Sequence, residues 1–195
     1  MKTFALAVLA LALPAIALAQ YEPAEVHIVV SLGEYAEGLV AAEFRIDNLP
    51  TEICLIEEEW DSPLTIGNIG WGFAIAFTEV QWGPLVHLGT LYFTAWEPVE
   101  PNWTLWVTPS NQSGDLLIVN ENYEELPAEP WGWHRFNCNF WCECYPPSGR
   151  ARQARWPYPE FHLWTTPDSE ICWQDLPVYP TAVSESSWGA LKSLY

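Results

Sequence analysis

The chain has 195 residues, half of them apolar, and its 13 Trp, 8 Tyr and 8 Phe supply ample core material despite a formal charge of −18. Only seven Lys and Arg oppose 25 Asp and Glu. This excludes nucleic acid as an expected partner, because phosphate binding needs clustered positive charge.

The chain opens MKTFALAVLALALPAIALAQ, with one positive charge at Lys2, an apolar run from Phe4 to Leu13, a break at Pro14 and small residues Ala17 and Ala19 flanking Leu18. That is the grammar of a signal peptide over 1–19, with cleavage expected after Ala19 and a single domain over 20–195. A membrane span needs about 20 apolar residues, and neither this run nor any later stretch reaches that length. The expectation is a secreted, periplasmic or cell-surface protein with no membrane span. Once Lys2 is removed, six basic residues face 25 acidic ones, a formal charge of −19.

Four segments alternate in the two-residue period of half-buried strands. They are Val26, Ile28 and Val30; Val40, Ala42, Phe44 and Ile46, with Glu43 and Arg45 opposite; Phe73, Ile75 and Phe77; and Trp103, Leu105 and Val107, with Thr104, Trp106 and Thr108 opposite. Turn-forming groups lie between them at Asp47-Asn48-Leu49-Pro50, Gly67-Asn68-Ile69-Gly70, Trp82-Gly83-Pro84 and 109–115. Short strands at such spacing predict a mostly β fold, an antiparallel β-sandwich of Ig-like or jelly-roll-like kind. Over 126–180 the texture turns Cys-, Trp- and Pro-rich, which predicts a loop-rich C-terminal half. Trp188, Leu191 and Tyr195 then stand at the spacing of a short C-terminal helix.

Taken in that order, GLVAAEFRIDNLP (38–50), GNIGWGFAIAF (67–77), LVHLGTLYFTAW (85–96) and ESSWGALKSLY (185–195) resemble a group of uncharacterised exported bacterial β-sandwich proteins. Those proteins end in a Thr-Trp-x-x-Val-Lys-x-Leu-Tyr type tail, which 187–195 nearly matches. The resemblance implies an exported β-sandwich and no reaction. It also implies a Cys pair around the IAF strand, where this chain has Phe73 and Val80 instead. The first strands are further similar to those of cohesin-type and carbohydrate-binding sandwiches, although a shared fold does not transfer function.

Five cysteines occur, Cys54, Cys138, Cys142, Cys144 and Cys172, and outside the cytoplasm disulfide bonding is the expected use. The odd number leaves at least one unpaired, and the preferred pairing joins Cys172 to one of the clustered three. His134, Cys138, Cys142 and Cys144 also offer four soft ligands, but their spacing is not that of a zinc knuckle. No metal or cofactor is assigned.

The acidic run Glu57-Glu58-Glu59-Trp60-Asp61 contains no calcium-loop pattern and reads as a solvated face. Together with the scattered Glu121, Glu124, Glu125 and Glu129 it is the place to look for a pair of hydrolase carboxylates, the lesser reading of the two. There is no G-x-S-x-G elbow, and His27, His87, His134 and His162 read as structural or exposed. Arg150, Arg152 and Arg155 follow Pro146-Pro147-Ser148-Gly149 and read as an exposed loop.

Flat indoles are one way a β-sandwich holds sugar rings. Trp131, Trp133 and Trp156 are therefore the candidate ligand-binding residues, with a polysaccharide or another surface protein as the candidate partner. The sequence thus leans toward a non-catalytic binding or structural module. A carbohydrate-binding module is the alternative, and a secreted hydrolase the second alternative.

Overall fold

The structure, a computed structural model, describes residues 23–129, 132–138, 158–166 and 171–178. In chain order the strands are β1 (Ala24–Ser31), β2 (Gly38–Asp47), β3 (Cys54–Trp60), β4 (Leu64–Asn68), β5 (Gly72–Trp82) and β6 (Leu85–Ala95). They continue with β7 (Trp103–Thr108), β8 (Leu117–Asn120), β9 (Glu125–Pro127), β10 (Trp133–Phe136), β11 (Glu160–Trp164) and β12 (Trp173–Gln174). No helix occurs among the described residues, and so none long and apolar enough to cross a membrane. The predicted C-terminal helix lies outside the described residues.

The strands form two sheets. The smaller has the order β11-β1-β6-β3 and the larger the order β12-β10-β7-β2-β5-β4, with β8 paired on β2 and β9 on β8. Pairing is antiparallel throughout except for β10 with β12. The segment predicted to be loop-rich therefore contributes strands to both sheets.

Alternation along each strand decides which face is buried. On β1, Val26, Ile28 and Val30 point inward, while on β2 Leu39, Ala42, Phe44 and Ile46 do so. These inner faces share one apolar cluster. The Phe44 ring contacts Phe73 of its own sheet at 5.7 Å and Phe161 of the smaller sheet at 5.2 Å. Trp60, from β3 of the smaller sheet, stacks on Phe73 at 4.1 Å, and Phe93 meets Phe136 at 5.0 Å. Each fully buried side chain of this size contributes about 1.5–3 kcal/mol, so this aromatic seam is what clamps the two sheets together.

Two local features shape the sheets. Gly67 has φ +98°, and a Cβ there would collide with the backbone of Gly72, so the tight β4–β5 turn requires glycine. Between Ile28 and Val29 the β1–β6 register shifts, and Leu88 is left as the extra residue of a β-bulge.

Candidate ligand-binding face

The outer surface of the larger sheet gathers indoles from three strands. On β7, Leu105 and Val107 are buried in the core, so Trp106 between them points outward and is 43% exposed. On β10, His134 and Phe136 face the core, which turns Trp133 and Arg135 outward. On β12, Gln174 reaches inward to His134 at 3.2 Å, and its neighbour Trp173 is 39% exposed.

Register then sets the layout. Asp47, Trp106 and Trp133 are directly paired in one row across β2, β7 and β10, while Thr104, Arg135 and Trp173 form the next row across β7, β10 and β12. Strands lie about 4.8 Å apart, so three of them give a platform about 10 Å wide.

The polar groups on this face are held in place. The Arg135 guanidinium lies 4.8 Å from the Trp133 ring centre, and its Nε donates to Thr104 Oγ1 at 3.4 Å. The Trp106 and Trp133 rings are 6.4 Å apart and tilted by 48°. Arg45 clasps Asp47 through two contacts, at 2.8 and 3.0 Å, the bidentate geometry of guanidinium and carboxylate. The face thus offers apolar planes with donors and acceptors along their edges, a surface suited to stacking and hydrogen bonding.

Of the sequence-predicted aromatics, Trp133 belongs to this face, while Trp131 and Trp156 lie outside the described residues. Trp106 and Trp173 were missed as site residues. For Trp106 the signal was present, since alternation already set it opposite Leu105 and Val107. For Trp173 there was none, because β12 is two residues long.

The other candidates are dispersed. Cys54 is a buried free thiol on the inner side of β3, and burial pushes its pKa up to about 11. Cys138 and Cys172 are each disulfide-bonded, whereas Cys142 and Cys144 lie outside the described residues. The zinc reading fails at two points: Cys138 has no thiolate to offer, and His134 faces the core, its ring 5.0 Å from Phe136. Burial lowers the pKa of His134 to about 3 and that of His162 to about 4. His162 stacks on Trp164 at 5.1 Å with Glu160 beside it at 3.9 Å.

The acidic run forms edge strand β3, where adjacent charges oppose pairing with another chain. Glu58 accepts from the Trp60 indole at 3.1 Å and Glu59 from the Tyr92 hydroxyl at 2.7 Å. A cleft of about 440 Å³ at one end of the sheets is lined by both Asp47 and Glu58. These carboxylates are engaged by Arg45 and Trp60, an arrangement that does not favour a catalytic pair. The loop arginines Arg150, Arg152 and Arg155 lie outside the described residues.

Fold and face together define a mostly β, two-sheet protein with an aromatic outer surface. No known family, characterised protein or solved structure matches the chain.

Proposed function

We propose that the protein is an exported, non-catalytic module that binds neutral polysaccharide on the outer face of its larger sheet. The observation that carries this reading is the presence of Trp106, Trp133 and Trp173 on one face of three neighbouring strands, two of them well exposed. A pyranose ring presents C–H groups on its faces and hydroxyls around its edge. Indoles take the former by stacking, and Arg135, Thr104 and Asp47 are placed to take the latter.

The preference for an uncharged polymer follows from the formal charge, −18 for the whole chain and −19 once 1–19 is removed, which repels acidic glycans over a Debye length of about 8 Å. Export is supported by the signal-peptide grammar of 1–19, and disulfide use fits that compartment.

The test is a panel of soluble and insoluble polysaccharides, neutral and acidic, with binding read by co-sedimentation and by tryptophan fluorescence. Retention on a neutral glycan with fluorescence change, weakened about tenfold by Trp106→Ala or Trp173→Ala, is the expected result. Absence of binding to every polymer would sink the proposal.

A further inference from the structure

The opposite side of the molecule, the outer face of the smaller sheet, carries a second group of side chains that the sugar reading does not use. His27 Nδ1 and His87 Nε2 face each other at 3.1 Å. Thr90 Oγ1 lies 2.9 Å from the first nitrogen and 3.4 Å from the second. Behind each imidazole stands a carboxylate: Asp61 Oδ2 is 2.8 Å from His87 Nδ1, and Glu25 Oε2 is 3.5 Å from His27 Nε2.

This arrangement depends on the β-bulge. His87 and Thr90 are three residues apart, so on a regular strand they would face opposite sides of the sheet. The shift between Ile28 and Val29 absorbs one residue, pairing His87 with Val29 and Thr90 with His27 while Leu88 and Leu91 stay buried. Bulges commonly re-aim side chains at functional positions.

A neutral imidazole has one N–H to give. Asp61 accepts that of His87 from Nδ1, and Glu25 orients that of His27 at Nε2. The two remaining nitrogens are then acceptors 3.1 Å apart, and the single O–H of Thr90, 2.9 Å from His27 Nδ1 and 3.4 Å from His87 Nε2, can serve only one of them; an ion set to one side of the pair would take both. A carboxylate behind each ligating imidazole is the usual outer shell of a histidine metal site, where it fixes the tautomer and raises ligand basicity.

We propose that His27 and His87 bind a borderline divalent transition metal, Zn(II) or Cu(II), between Nδ1 and Nε2. At metal–nitrogen distances of about 2.0–2.1 Å, two nitrogens 3.1 Å apart subtend roughly 100° at the ion, an angle both metals accept. No group of three or more His, Cys, Asp or Glu converges on a common point among the described residues. The protein therefore supplies two imidazoles, with the Thr90 hydroxyl beside them, and the remaining positions are left to water or an external ligand. The His87 side chain is 26% exposed and the Asp61 side chain 44%, so the ion has a route in. Cu(II) binds more tightly than Zn(II), following the general order for nitrogen sites.

The test uses the full chain freed of metal by chelation and titrated with Cu(II) or Zn(II) alone. One equivalent of Cu(II) gives an electron paramagnetic resonance spectrum with hyperfine structure from two imidazole nitrogens. His27→Gln and His87→Gln each remove one nitrogen from that pattern. Asp61→Asn, a change at a surface residue, keeps both nitrogens and weakens binding about 10–100-fold. Zn(II) shifts the ring proton resonances of His27 and His87. Failure of the wild-type chain to take up a stoichiometric ion, or an unchanged spectrum in the His27→Gln/His87→Gln double variant, would overturn the assignment and leave the pair bridged by a proton. Because the wild-type spectrum is decisive by itself, a variant that fails to fold does not obscure the outcome.

Discussion

Mild acid should weaken the fold through His134, long before most carboxylates titrate. The ring is fully buried on the inner side of β10, where Nε2 lies 3.2 Å from the Gln174 amide nitrogen, a donor. Burial is the main cause holding its pKa down to about 3, against 6.5 in the unfolded chain. Between those values the unfolded chain binds a proton that the native one refuses, so stability is full above pH 6.5 and falls as the pH drops toward 3. The limiting slope is about 1.4 kcal/mol per pH unit, and the loss from pH 7.5 to 5.0 amounts to about 2 kcal/mol. That is a large share of a typical stability of 5–15 kcal/mol. His162, lowered to about 4 by the same burial, adds a similar loss, so the informative quantity is a difference between chains. Urea unfolding at pH 7.5 and 5.0, followed by tryptophan fluorescence, should show His134→Leu losing about 2 kcal/mol less than wild type over that interval. Parallel losses in the two proteins, or a His134 resonance titrating near pH 6.5 in the folded state, would refute the reasoning.

Two further outcomes follow from the core. Phe44→Ala removes the ring that touches Phe73 of its own sheet and Trp60 and Phe161 of the other, and should cost about 3–5 kcal/mol in urea unfolding; a loss under about 1 kcal/mol would contradict its place at the seam. Cys54 is 3% exposed with its thiol pKa raised to about 11, so at pH 8 an aromatic disulfide reagent should label it only as fast as the protein unfolds, and rapid labelling of the native chain would count against its burial.

The sequence revealed those parts of the fold where one face is dry and the other wet. β1, β2, β5 and β7 were legible from alternation, and the turn groups at 47–50 and 67–70 mark the β2–β3 and β4–β5 connections, although Asp47, Gly67 and Asn68 still belong to the preceding strands. β11 was not, because all five of its residues are buried and nothing alternates. β3 was hidden for the opposite reason: its middle is three exposed glutamates, a composition that signals a loop unless a neighbouring strand is known. β6 was obscured by its bulge, which puts the period out of phase between His87 and Thr90.

The same physics governs the sites. The outward aim of Trp106 could be read from β7 alone, whereas its partnership with Trp133 and Trp173 depends on pairing between strands far apart in the chain. His27 and His87, 60 residues apart, come together only through register and the bulge, neither of which leaves a mark in sequence.

The most direct measurement of the central claim is oxidative footprinting of tryptophan in the presence and absence of a bound neutral polysaccharide, read residue by residue by peptide mass. Trp71, in the β4–β5 turn, and Trp82, at the end of β5, are 64% and 66% exposed and serve as internal controls. The platform account predicts that ligand protects Trp106 and Trp173 while Trp71 and Trp82 remain fully reactive. Protection centred on Trp71 or Trp82, with Trp106 and Trp173 unchanged, would contradict it.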